Sequence, residues 1–312
     1  MGAHAASVKT NMSSPKRHHF VPRAYLEGFK ESDSGFLNIY SKRSGLWRRQ
    51  KANQVMVRNK YYCQSWVPDN IDENILEKSL GNALEPKGLN SLKRLVENPS
   101  QLTDDDTANI IAYIEFQRIR VPRQADEAMR LAKLTIETMI MGKPEGKEVL
   151  GTHQVSINDS FRFDFMKTVS GNIGPYLGRM IWEVVEAPEG SCFVTSDSPV
   201  SFWNEDFMPP LEPGIALYGT IVFFPLDSKH LLILRHPEYM DGEKSASEKL
   251  PRNLDYEDGE IEVRRGIVWD KEAVDHHCWI MYMLSQDTIA GCSKACIDNA
   301  VGQETSGNRP SS

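Results

Sequence analysis

Along this 312-residue chain the period of the apolar positions changes near the midpoint. Between residues 72 and 96, Ile75, Leu76, Leu80, Leu84, Leu89, Leu92 and Leu95 recur at the three- and four-residue intervals of one helix face. Pro86 and Gly88 fall inside that run and are expected to split or kink it. Thr103 followed by Asp104, Asp105 and Asp106 is a helix start, with a hydroxyl to cap free N–H groups and acidic side chains near the positive end of the dipole. That helix is predicted to stop before Pro122, with another over about residues 123–141 and a third over about 159–180.

Past residue 180 the pattern becomes β-like. Runs at 182–186, 192–195, 218–224 and 231–234 read as strands, with Pro188-Glu189-Gly190 and Leu226-Asp227-Ser228-Lys229 as hairpin turns and 255–259 as another acidic turn. Helices are predicted from about Lys271 and over about 293–301. At the other end, Pro22 opens a short helix to Phe29, and two runs at 37–40 and 46–49 flank Lys42-Arg43-Ser44-Gly45 as a hairpin. The expected fold class is α+β: a helical middle packed with a mainly antiparallel sheet, plus a short N-terminal helix and hairpin. The expected segments are a flexible arm (1–15), a basic helix and hairpin (16–66), a helical region (67–150), a β-rich region with C-terminal helices (151–302) and a disordered tail (303–312).

Composition narrows the class without choosing a function. Hydrophobic content of 40% and charged content of 25% are those of a soluble globular chain. No apolar run approaches the roughly 20 residues that span a bilayer, and residues 1–15 lack the apolar stretch of a signal peptide. The five cysteines contain no Cys-x-x-Cys pair and read as reduced thiols in a cytoplasmic protein; Cys292 and Cys296 sit at helical spacing, as packing residues do. Charge is uneven: residues 1–60 hold twelve Lys/Arg against three Asp/Glu, a balance of +9 in a chain whose net charge is −7. A basic lobe on an acidic body suits a localised anion site, for nucleic acid or a nucleotide, rather than a surface that binds nucleic acid everywhere, and no membrane partner is expected. The plainer reading makes Lys42, Arg43, Arg48, Arg49 and Lys51 the solvated face of the hairpin.

Candidate chemistry begins at Lys16-Arg17-His18-His19-Phe20-Val21-Pro22-Arg23, where two imidazoles lie inside that basic stretch. Adjacent residues of an extended segment point to opposite sides, so one ligand and one general base is the natural division. The string His-His-Phe-Val-Pro resembles the opening of HNH nucleases, which pair a metal contact with a water-activating histidine. Such a unit needs a second histidine shortly downstream, and here none follows until His153.

A resemblance covering more of the chain, about residues 16–200, is to a large microbial and viral family known only as a domain of unknown function. Its three boxes match His18 to Pro22 with Tyr25, Leu26 and Phe29; Gln117-Arg118-Ile119-Arg120-Val121-Pro122; and Phe193-Val194-Thr195-Ser196-Asp197-Ser198-Pro199-Val200. The resemblance nominates His18, His19, Pro22, Gln117, Arg120, Ser196 and Asp197 and assigns them no roles. On a helical wheel at about 100° per residue, Gln117 falls in the centre of the apolar arc of Ile110 and Ile114, and Arg120 lies between Tyr113 and Phe116. Polar groups on such a face need specific partners: an interior network or a cavity. Asp197 follows a β-like run and reads equally as a cleft carboxylate or an Asx-turn residue. His276 and His277 read as helix-surface histidines, and no phosphate-binding glycine loop, zinc-protease or EF-hand motif is present.

Two readings follow. In the first the chain is a hydrolase of a phosphodiester or nucleotide. His18 or His19 is the general base or a metal ligand, Asp197 the acid or a metal ligand, and the site works either without metal or with one divalent ion on His19 and Asp197. Arg23, Gln117, Arg120 and Ser196 hold the substrate. In the second it binds nucleic acid or an anionic metabolite without turnover.

Overall fold

The computed structural model describes residues 17–63, 80–237 and 261–306. The 72–79 part of the first helical run and the 255–259 turn lie outside the described residues. The fold is α+β with antiparallel pairs dominating the sheets. β1 (Arg17–His19) pairs with β4 (Val57–Asn59); between them come helix α1 (Arg23–Leu26), a 3-10 turn to Phe29 and the hairpin of β2 (Leu37–Ser41) and β3 (Trp47–Gln50).

Three longer helices follow. A π-helical stretch, Leu80–Leu84, gives way at Glu85 to α2 (Glu85–Glu97), so the run changes character beside Pro86, while Gly88 makes no break. Gly88 belongs in the helix because α3 (Asp104–Ile119) lies against it: a Cβ there would stand 2.5 Å from Cβ of Tyr113. α3 begins with the predicted Thr103 cap, whose Oγ1 accepts from Asp106 N at 3.2 Å while Asp106 Oδ2 accepts from Thr103 N at 3.2 Å. Val121 is extended before Pro122, which ends α3 and starts α4 (Pro122–Met141). α5 (Gly146–Thr152), α6 (Phe161–Val169) and α7 (Gly174–Leu177) complete the helical part. The single helix expected over 159–180 is interrupted at Gly171, whose φ of 87° no helix allows. No helix among the described residues is long and apolar enough to cross a membrane.

The second half holds β5 (Ile181–Glu186), β6 (Thr195–Ser196), β7 (Ser201–Trp203), β8 (Ile221–Pro225), β9 (His230–Arg235), β10 (Val263–Val268), α8 (Lys271–Leu284), β11 (Thr288–Gly291) and α9 (Lys294–Ser306). A five-stranded sheet has the order β10-β5-β9-β8-β7, with β10 parallel to β5, and a four-stranded sheet has the order β3-β2-β11-β6. The β8–β9 turn forms as predicted, with Asp227 Oδ1 accepting from Lys229 N at 2.7 Å and His230 N at 2.9 Å. The Pro188-Glu189-Gly190 turn does not make a hairpin: β5 pairs with β9 and β10, while the chain crosses to the other sheet at β6.

The five-stranded sheet is buried on both faces, which explains the unbroken apolar runs of β8 and β9. Val184, Val222, Phe224, Leu232 and Leu234 point into one core with Phe20, Leu26, Leu92, Ile110 and Tyr113. Val185, Ile221, Phe223, Leu231 and Ile233 point into a second with Phe193, Cys278, Met281, Ile289 and Ile297. His277 lies in that second core rather than on the surface. Its ring is 5.1 Å from Phe223 and 5.5 Å from Phe193, and neither ring nitrogen has a hydrogen-bond partner. Burial pushes its pKa down to about 3, with neighbouring His276 adding to the shift.

Two outcomes are expected. Gly88→Ala destabilises the protein by about 1–3 kcal/mol in thermal or urea unfolding, although alanine is the better helix former, because Tyr113 occupies the space. A histidine whose folded pKa is depressed costs nothing above its unfolded value; as pH falls below about 6.5 the unfolded chain takes a proton that the folded state refuses until about 3. Stability therefore declines by up to about 1.4 kcal/mol per pH unit below that value, and urea titrations between about pH 5 and 7 should show His277→Leu lacking this slope.

Candidate functional site

The first two sequence boxes meet at strand β1. The pleat turns His18 inward and His19 outward, as expected of adjacent residues in a strand. His18 is fully buried, its Nδ1 accepting from Tyr62 N at 2.9 Å and its ring stacked on Tyr62 at 5.8 Å. The end of α3 then grips the chain beyond it. Gln117 Nε2 donates to Phe20 O at 3.1 Å, and Arg120 Nη2 donates to His19 O at 2.6 Å, so the pair three residues apart holds two consecutive carbonyls. Arg120 also donates through Nε to Tyr62 Oη at 2.8 Å and through Nη1 to Glu85 Oε1 at 2.7 Å. Its guanidinium is 1% exposed, enclosed by protein partners, and does not face a cavity that could take a phosphate. Arg118, which sequence reasoning passed over, makes a two-pronged pair with Glu212 at 2.9 and 2.8 Å and reaches Val200 O at 3.1 Å.

The third box is built around β6. Asp197 Oδ1 accepts from Gln286 N at 2.8 Å, and Oδ2 accepts from Asp287 N and Thr288 N, each at 2.8 Å. The carboxylate thus fixes the turn that leads into β11. Burial raises its pKa above the usual carboxylate value, against the pull of those three N–H donors. Ser196 Oγ accepts from Ser198 N at 3.1 Å. Thr195 Oγ1 lies 2.9 Å from Tyr25 Oη, whose proton goes to Pro225 O at 2.7 Å; the threonine hydroxyl is therefore the donor to the tyrosine. This contact ties the first box to the third.

The structure therefore groups His18, His19, Gln117 and Arg120 around β1, and Ser196 with Asp197 where the end of β6 meets the α8–β11 turn. Arg23 belongs to neither group: it is exposed on α1 and pairs with Glu27 at 3.3 Å. His19 and Asp197 share no hydrogen-bond partner among the described residues. Three acceptor positions of Asp197 are taken by the N–H groups of Gln286, Asp287 and Thr288. No group of three or more His, Cys, Asp or Glu able to hold a metal occurs among the described residues. His19 keeps one open valence. Burial lowers its pKa against a hydrogen bond to the Ala52 backbone and the nearby Glu85 carboxylate, and its Nε2 is buried without a partner.

Beside this network lies a polar cleft of about 230 Å³, lined by Arg58 and Asn59 of β4, by Lys60 and Tyr61 just after it, by Asp126 of α4, and by Asp159 and Arg162 at the start of α6. Lys60 is placed by a left-handed turn, φ 51°, a conformation side-chain-bearing residues rarely hold. Arg162 is 6% exposed, stacks on Tyr61 and Phe163 at 4.6 Å each, pairs with Asp159 at 3.2 Å, and leaves Nε buried without a partner. Arg58 stands 5.8 Å over the Tyr61 ring, and burial pushes the Tyr61 phenol up to about 12. The excess of positive charge before residue 60 foreshadowed Arg58 and Lys60; Arg162, more than 100 positions on, carried no local signal.

Replacing the two central polar groups separates support from catalysis. Asp197→Asn turns an amide N–H₂ against backbone N–H donors and should lower unfolding free energy by about 2–3 kcal/mol. Arg120→Met, which strands Glu85 and the His19 carbonyl, should cost about 3–5 kcal/mol. Urea unfolding checks both; unchanged stability would show that neither side chain holds the fold.

The search for relatives returns no curated protein and no solved structure that matches. A family described as "Protein of unknown function (DUF4238)" matches residues 17–277, a span that contains all three boxes. The chain belongs to that family.

Proposed function

We propose that this chain is a binding module for a phosphate-bearing anion, seated in the cleft between β4, α4 and α6. The observation that carries the reading is Arg162: a guanidinium buried against two aromatic rings, with an N–H unsatisfied, lining a cleft with Arg58 and Lys60. Guanidinium groups match phosphate oxygens with parallel donors, and burial strengthens each bond. The cleft is smaller than the roughly 300 Å³ at which drug-sized pockets begin, so it suits one phosphate group, free or at the end of a larger ligand. Asp159 acts as the placeholder: its side chain is 74% exposed and swings into solvent when a phosphate takes its position on Arg162.

A hydrolytic reading rests on a different observation, the buried and unpartnered Nε2 of His19, kept neutral by its surroundings as a general base at pH 7 must be. In that reading His19 takes a proton from water attacking a phosphodiester.

Calorimetric titration with inorganic phosphate and with a short single-stranded oligonucleotide distinguishes these. Arg162→Ala should weaken phosphate binding by about tenfold or more, Asp159→Asn should tighten it, and affinity should fall as salt rises. Equal affinity for wild type and a folded Arg162→Ala variant overturns the binding reading. Release of product from a generic phosphodiester, lost in His19→Ala, would establish the second reading instead.

A further inference from the structure

Three thiols from distant parts of the chain converge beside β11. Cys192 lies in the segment before β6, Cys292 directly follows β11, and Cys296 stands in the first turn of α9. The sulfurs of Cys192 and Cys296, 104 positions apart, are 2.6 Å from one another, inside the contact distance of two unbonded sulfurs and close to the roughly 2.05 Å of a disulfide bond. Cys192 donates to the Cys296 sulfur, and Cys292 lies close enough for its titration to be tied to that of Cys192. Cys192 is 5% exposed and Cys296 9%, whereas Cys292 is half-buried and is the member of the group open to a reagent. Cys278 is nearby but separate: it is fully buried and its Sγ lies 3.6 Å from the Cys192 carbonyl oxygen, as a packing cysteine would be.

We propose that Cys192, Cys292 and Cys296 form a thiol–disulfide exchange site whose substrate is a low-molecular-weight disulfide. Cys292 receives the reagent, and Cys192 and Cys296 end as the linked pair. In the first step the Cys292 thiolate attacks one sulfur of the small disulfide, forming a mixed disulfide and expelling one small thiolate. Cys192, its proton passed to that leaving thiolate, attacks the Cys292 sulfur and expels the second small thiolate. Cys296 then attacks Cys192, closing the Cys192–Cys296 bond and returning Cys292 as a thiolate. Two protein thiols are oxidised, one small disulfide is reduced to two thiols, and protons balance. The neighbouring Cys192 thiol holds the Cys292 and Cys296 thiols below their ordinary value, which raises the thiolate fraction needed for the first and last steps.

The test incubates wild-type protein with oxidised glutathione, blocks residual thiols and maps the unreduced peptides by mass spectrometry. The expected product joins the Cys192 and Cys296 peptides, removes two of the five thiols from titration and reverts on reduction. Cys292→Ser should reach the same link about tenfold more slowly or worse, and Cys192→Ala should stop with one glutathione on Cys292. Five titratable thiols remaining in the wild type, or a link lacking Cys192 or Cys296, overturns the proposal. That reading needs only the wild type and stands even where the Cys192 variant fails to fold.

Discussion

A charged guanidinium removed from water must have its N–H groups met, and Arg120 meets that demand with groups from three separate parts of the chain. Its partners are the Tyr62 hydroxyl, the Glu85 carboxylate and the His19 carbonyl. Around it the last turns of α3 carry a row of such arms: Glu115 Oε1 accepts from Ile173 N at 3.0 Å, Gln117 reaches Phe20 and Arg118 reaches Glu212. Apolar packing alone would let α3 rotate or slide against its neighbours at modest cost. Four directed polar contacts on one helix permit a single placement, because a shift that satisfies one leaves another buried and unpaired.

The β-rich half has its own anchor of this kind. Asp197 holds three successive N–H groups across a sequence separation of about 90 residues, and a hydrogen-bond chain from the Thr195 hydroxyl through that of Tyr25 to the Pro225 carbonyl joins that region to α1. The family boxes therefore mark the points where remote segments are locked together. The groups these locks leave unused lie beside them: the buried, unpartnered nitrogens of His19 and Arg162, and the thiols that border β11.

What the sequence made legible followed from local physics. The caps of α3, the break at Pro122 and the Asp227 turn of the β8–β9 hairpin each depend on neighbours a few residues away, and each forms as expected. The constrained status of Gln117, Arg120 and Asp197 was also legible, because polar groups on apolar patterns announce that something specific meets them. What meets them was not. Whether Asp197 opens into a cleft or holds backbone depends on the turn at 286–288, and nothing near residue 197 encodes it. A strand over 192–195 was legible and overlaps β6, but β11 is four residues long, too short for alternation to register, so the partner that completes the second sheet was not. Arg162 sits on a nine-residue helix with little sign that it would be enclosed.

The turn that Asp197 holds has a second tether. Gln286, whose backbone N–H is bound by Asp197, extends its side-chain amide to Asp126 Oδ2 at 2.6 Å, and Asp126 forms part of the wall of the basic cleft. A single glutamine thus bridges the cavity rim and the strand end. The wall of the cleft and the strand that leads to Cys292 are therefore held in register by one side chain, so neither can be repositioned without breaking a contact of the other.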